Sequence, residues 1–81
     1  MEKGDRKQPI LRLREAFQML QKIGRVEGLS MVGEVLGYLL LKVGDEQAVD
    51  VLRISQQAYQ TLGQTEEVAQ IQAWLDNPAA A

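Results

Sequence analysis

The sequence predicts an all-α protein of four helices joined by very short turns, and three observations carry that prediction. Apolar residues recur at three- and four-residue steps in four successive segments, the spacing that gathers side chains on one face of a helix. Pro9, Gly24, Gly44, Gly63 and Pro78 stand at the borders of those segments. Nowhere do β-branched residues alternate with polar ones for long enough to make a strand. Turns this short make sequential helices antiparallel neighbours.

The first helix runs from Ile10, with Ile10, Leu13, Phe17 and Leu20 on one face and Ala16 and Ile23 alongside. Arg12, Glu15, Gln18 and Lys22 take most of the remaining surface. Pro9 suits the first turn, where its missing N–H has no helical partner, and Gly24 suits a left-handed C-cap. The second segment, Val26 to Val43, is apolar on almost every side, through Leu29, Met31, Val32, Val35, Leu36, Tyr38, Leu39, Leu40, Leu41 and Val43. Such a helix is buried between other elements or against another chain. It nevertheless contains Gly28, Gly33 and Gly37, each costing up to ~1 kcal/mol of helix propensity relative to Ala. Gly33 and Gly37 lie one turn apart and make a groove for close approach. An internal helix crossing is the first expectation, and a crossing with a second copy of the chain is the alternative.

Asp45 follows Gly44 as an N-cap, and with Glu46 it places negative charge at the positive end of the third helix. Ala48, Val51, Leu52, Ser55, Ala58, Tyr59 and Leu62 make its apolar stripe, and Gly63 closes it. The fourth helix begins at Thr65, carries Glu66 and Glu67 in its first turn, and sets Val68, Ile71 and Leu75 on one face with Trp74 beside them. Asn77-Pro78 ends it. The expected organisation is a basic arm over residues 1–9, a single domain over 10–76, and a tail over 77–81 that frays.

Charge and composition narrow the chemistry. The chain has 81 residues, and 9 Lys+Arg against 11 Asp+Glu give a net charge of −2. That total hides a split: residues 1–25 hold seven bases and three acids, and residues 26–81 hold two bases and eight acids. With neither Cys nor His there is no disulfide framework, no thiolate or His-based nucleophile, and no usual zinc, haem or iron–sulfur ligand set. Ser30 and Ser55 have no evident activating base, and Ser55 on the Leu52/Tyr59 face suits a small packing residue. Asp45-Glu46 and Glu66-Glu67 sit in first turns, where the helix dipole accounts for them without acid–base or metal chemistry. No Gly-rich loop links a strand to a helix. The expectation is a non-catalytic protein with no cofactor, no metal and no small-molecule substrate.

Leu29 to Val43 is shorter than the ~20 apolar residues a membrane span needs and contains Glu34 and Lys42, and Met1 to Gln8 lacks the apolar core of a targeting segment. A cytoplasmic, membrane-free location is expected.

A shift of 39 positions superimposes two helix–turn–helix junctions. Ile23-Gly24 falls on Leu62-Gly63, Glu27 on Glu66, Leu29 on Val68, Val32 on Ile71 and Leu36 on Leu75. Further back, Leu13-Arg14 falls on Leu52-Arg53. A fixed period of this size marks a helical repeat, in which each helix pair stacks on a neighbour. Leu36-Gly37, Leu40 at a position where Tyr is usual, Gly44-Asp45, and then Ala48, Leu52 and Ser55 resemble the tetratricopeptide (TPR) family in a degenerate, longer-helix form. The Tyr59–Glu67 stretch is similar to that family's LGD-x-E junction. Gly33 stands at the usual Trp position, no Pro closes the third helix, and the period exceeds the ~34 residues of ordinary repeats. The resemblance covers Ile10 to Leu75. It implies four antiparallel helices stacked as hairpins of the right-handed helical-repeat type, and protein–protein binding by a helix-lined surface.

A chain this short buries only ~60% of its unfolded surface, so a helix apolar all round is expected to retain open faces. Self-association is therefore expected through Met31, Gly33, Gly37, Leu39 and Leu41 of the second helix, giving a homodimer, or else stacking on a larger partner as an adaptor. Arg12, Arg14 and Gln18 on the first helix and Trp74 on the fourth are the expected partner contacts, Trp74 because large amphipathic aromatics concentrate binding energy. The alternative function is a small regulatory protein that meets nucleic acid with Lys3, Arg6, Lys7 and the bases of the first helix. The acidic remainder and the lack of aromatic interleaving disfavour it.

Overall fold

The computed structural model describes residues 7–81. It contains α1 (Lys7–Ile23), α2 (Val26–Lys42), α3 (Ala48–Thr61) and α4 (Thr65–Asp76), then a 3-10 turn over Pro78–Ala80. No strand occurs among the described residues. Lys3 and Arg6 of the basic arm, and the side chain of Lys7, lie outside the described residues.

The same cap closes α1, α2 and α3. Gly24, Gly44 and Gly63 adopt φ of +71°, +76° and +75°, where a Cβ would be strained. The residue after each glycine donates its amide to the carbonyl five positions back: Arg25 to Leu20 at 3.1 Å, Asp45 to Leu40 at 2.9 Å, Gln64 to Tyr59 at 2.9 Å. Each reversal thus satisfies a carbonyl that the helix end leaves without a partner. The 39-residue shift carries the first cap onto the third, and the start of α2 at Val26 onto the start of α4 at Thr65.

Three boundaries differ from expectation. Helix α1 begins at Lys7 rather than Ile10. The first four amides of a helix have no internal partner, so Pro9 costs no hydrogen bond in the first turn and does not fix the start. Regular α3 begins at Ala48, after a turn in which Asp45 Oδ1 accepts from the Gln47 amide at 2.8 Å and the Asp45 carbonyl accepts from the Ala48 amide at 3.1 Å. Asp45 therefore organises the entry to α3 from three residues ahead of it. At the other end, Asn77-Pro78 stops α4 as expected, but 78–80 form a turn, with the Asn77 carbonyl accepting from Ala80 at 3.0 Å and Lys42 donating to the Ala81 carbonyl.

Sequential helices pack on one another, and the α2–α3 pair is the most extensive. The register opposes along the two: Gly33 faces Ser55, and Gly37, one turn further along α2, faces Leu52, one turn earlier on α3. A Cβ at Gly33 would stand 2.8 Å from Ser55 Cβ and 3.0 Å from Phe17 Cε1. At Gly37 it would stand 2.4 Å from Leu52 Cδ2. Of the two expectations for these glycines, the structure shows the internal crossing. Their propensity cost is offset by an approach that no other residue permits.

Around the crossing lie two core clusters. Phe17, Leu36, Leu40, Ala48 and Val51 form one, and Leu52, Tyr59 and Ile71 the other, with Leu41 packed against both. Ser30 and Ser55 are the buried polar side chains, and each finds a carbonyl: Ser30 donates to Glu27 at 2.7 Å and Ser55 to Ser30 at 2.7 Å.

Candidate interaction surface

With α1 and α3 covering two sides of α2, a third side stays open. Along it run Met31, Val35, Tyr38, Leu39 and Lys42, at steps of four, three, one and three residues. Met31 is 64% exposed and Val35 50%, although both belong to a helix that is otherwise mostly covered. Helix α4 supplies the opposite wall through Trp74. The rings of Tyr38 and Trp74 meet at 5.2 Å between centroids, tilted by 49°, an arrangement favoured by ring quadrupoles. Lys42 Nζ lies 5.2 Å from the Tyr38 centroid.

Glu34, Val35, Tyr38, Leu39 and Trp74 together line a groove of about 410 Å3, open to solvent. Apart from Glu34 its lining is apolar. The Glu34 carboxylate accepts from the Tyr59 hydroxyl at 2.5 Å, which ties α2 to α3 below the groove. Burial first, and then this carboxylate, push the Tyr59 phenol well above its ordinary range. Tyr59 is thus held neutral as a structural donor. No cluster of carboxylates suited to a metal ion occurs among the described residues, and no helix among them is long and apolar enough to cross a membrane.

The residues expected at an interface separate into three groups. Trp74 is half-buried and forms a groove wall, so it serves the core and the surface together. Arg12 and Gln18 are exposed on α1. Arg14 is instead half-buried and engaged within the chain, pairing with Asp45 at 3.0 Å and donating to Gln47 at 2.5 Å, so it clamps α1 to the α2–α3 turn. Arg12 and Gln18 do not line the groove that Trp74 walls.

Among the residues expected to self-associate, Met31 and Leu39 lie on the open strip. Gly33 and Gly37 are buried against α3, and Leu41 packs into the core, because α3 occupies that side of α2. Val35 and Tyr38 are the additions that periodicity missed. Their signal was the step from Met31 to Val35 and on to Tyr38 and Leu39, invisible while every side of α2 looked equally apolar. No protein-family model matches the chain, and comparison with curated proteins and with solved structures returned no match.

Proposed function

We propose that this protein is a non-catalytic protein–protein interaction module, built as TPR-like helical hairpins and acting as an adaptor. The observation that supports this best is the groove between α2 and α4. It gathers exposed Val35 and half-buried Tyr38, Leu39 and Trp74 in one apolar groove open to solvent, the pattern of a docking site. The 39-residue shift that carries the first glycine cap onto the third, and the start of α2 onto the start of α4, supports a repeat frame for this groove. A rigid aromatic pair at the centre with charged groups at the rim suits an apolar segment of another protein, or the same strip of a second copy.

Affinity capture with the full chain beside Trp74→Ala and Val35→Lys tests the reading. Partners retained by the wild type and lost with both variants, at unchanged helicity, are expected. The same partners held by all three proteins would remove the groove from the interaction. Sedimentation at micromolar concentration tests self-association, with a dimer weakened by Val35→Lys as the expected result for a second copy.

A further inference from the structure

The repeat leaves the two ends of the chain unequal. A shift of 39 positions carries α1 onto α3 and α2 onto α4. The α1–α2 pairing therefore has a counterpart in α3–α4, whereas the larger α2–α3 pairing has none. By this equivalence a neighbour packed as α2 and α3 pack would lie against the outer face of α1 or of α4.

Helix α4 is closed to such a neighbour. The counterparts of Ser30, Gly33 and Gly37 on its outer face are Ala69, Gln72 and Asp76, all exposed. Gln72 accepts from Gln56 at 3.0 Å and donates to Asp76 at 2.9 Å. Even a Cβ at Gly33 would stand 2.8 Å from Ser55, so these longer side chains forbid the close approach that α2 and α3 achieve. A polar outer face of this kind is what terminates a helical stack.

Helix α1 is the reverse. On α3 the buried Ala48, Val51, Ser55 and Ala58 face α2, and their counterparts on α1 are Pro9, Arg12, Ala16 and Met19. With Ile23 these make a seam at steps of three, four, three and four residues, the spacing at which one helix meets another. Met19 is 65% exposed and Ile23 63%. Arg12 lies within the seam and Lys22 and Arg25 lie beside its far end, with Glu15 as the acid among them.

We propose that this seam seats a helix of a partner protein, packed as α2 packs on α3. That helix carries small residues one turn apart facing Leu13 and Ala16, and acidic side chains on its flanks facing Arg12, Lys22 and Arg25. A second copy supplies no such element. Its Gly33 and Gly37 are already buried, its α4 lacks small residues at the corresponding places, and its α1 brings like charge. The inference rests on the repeat and stands independently of the groove between α2 and α4.

The test uses the full chain and a fluorescein-labelled synthetic helix about five turns long. The peptide is built of alanine, leucine and glutamate, with glycine at two seam positions one turn apart. Anisotropy should report saturable binding, weakened at least about tenfold by Met19→Lys and by Ile23→Lys, which alter exposed positions and leave helicity intact. Lysine in place of each glutamate, or leucine in place of both glycines, should weaken the peptide by a similar factor. Trp74→Ala should bind as the wild type does, which separates failure here from failure of the groove. Absence of binding, or equal binding by Met19→Lys or by the lysine peptide, would overturn the proposal. So would self-association lost with Met19→Lys, which would assign the seam to a second copy.

Discussion

Replacing Gly37 with alanine sets two effects of known sign against each other. Alanine in the middle of α2 gains up to ~1 kcal/mol of helix propensity. The added Cβ would stand 2.4 Å from Leu52 Cδ2 and 2.5 Å from Leu52 Cγ, more than 1 Å inside ordinary carbon contact at ~3.5–4.0 Å. Leu52 is fully buried between α2 and α4, so the collision is relieved only by shifting the helices apart. Overpacking of this kind costs ~1–3 kcal/mol, and with the branch point of the leucine met as well as one methyl the upper part of that range applies. The net is a loss of about 1–2 kcal/mol, or a fall in Tm of roughly 5–15 °C for a domain of this size. Gly28→Ala is the matched control. Its Cβ would also approach a leucine, Leu20 Cδ2 at 2.6 Å, but Leu20 is only half-buried at the edge of α1 and can turn aside. Gly28→Ala should therefore leave Tm unchanged or slightly raised. Calorimetry on the two variants decides the matter. A Gly37→Ala protein as stable as Gly28→Ala would refute the claim that the α2–α3 crossing depends on glycine.

Four further outcomes follow from the same contacts. Asp45→Ala removes the acceptor for the Gln47 amide and the partner of Arg14, and should lower the urea midpoint by the equivalent of about 1–2 kcal/mol at constant slope. Arg14→Gln keeps the cap and should cost about half a kcal/mol or less, because that pair is about a third exposed and screened by solvent. Because the folded state raises the Tyr59 pKa above its ordinary 10.0, the folded protein keeps a proton that the unfolded chain releases. Stability contributed there is complete below pH 10 and falls as pH rises above it. Phenolate absorbance should show Tyr59 ionising only with unfolding, and Tyr59→Phe should flatten the alkaline slope. Trp74→Ala should leave the cooperative unfolding transition intact, at a loss of a few kcal/mol at most, since Trp74 is only half-buried against Val68 and Leu75's cluster. A non-cooperative melt would show that the groove wall is core alone.

Much of the helical frame is legible in the sequence, because glycine at positive φ is a local requirement. Gly24, Gly44 and Gly63 mark their helix ends without reference to anything distant. The site is less legible, for a physical reason. On a helix apolar all round, periodicity does not say which stripe the neighbours cover, and only the packing of α1 and α3 shows that Val35 and Tyr38 are left open while Leu41 is not. Arg14 has the pattern of a solvated base until Asp45, 31 positions away, is brought beside it. The two readings of Gly33 and Gly37 were likewise separable only by distances across the crossing.

The proposed docking of another protein on the strip of α2 beside Trp74 can be trapped covalently. A photo-reactive amino acid placed at position 35 of the full chain, with a second variant carrying it at exposed Arg53 on α3, tests this most directly. A discrete adduct to one protein, or to a second copy, is expected from position 35 and none from position 53. Adducts that are identical from both positions, or discrete from position 53 alone, would contradict it.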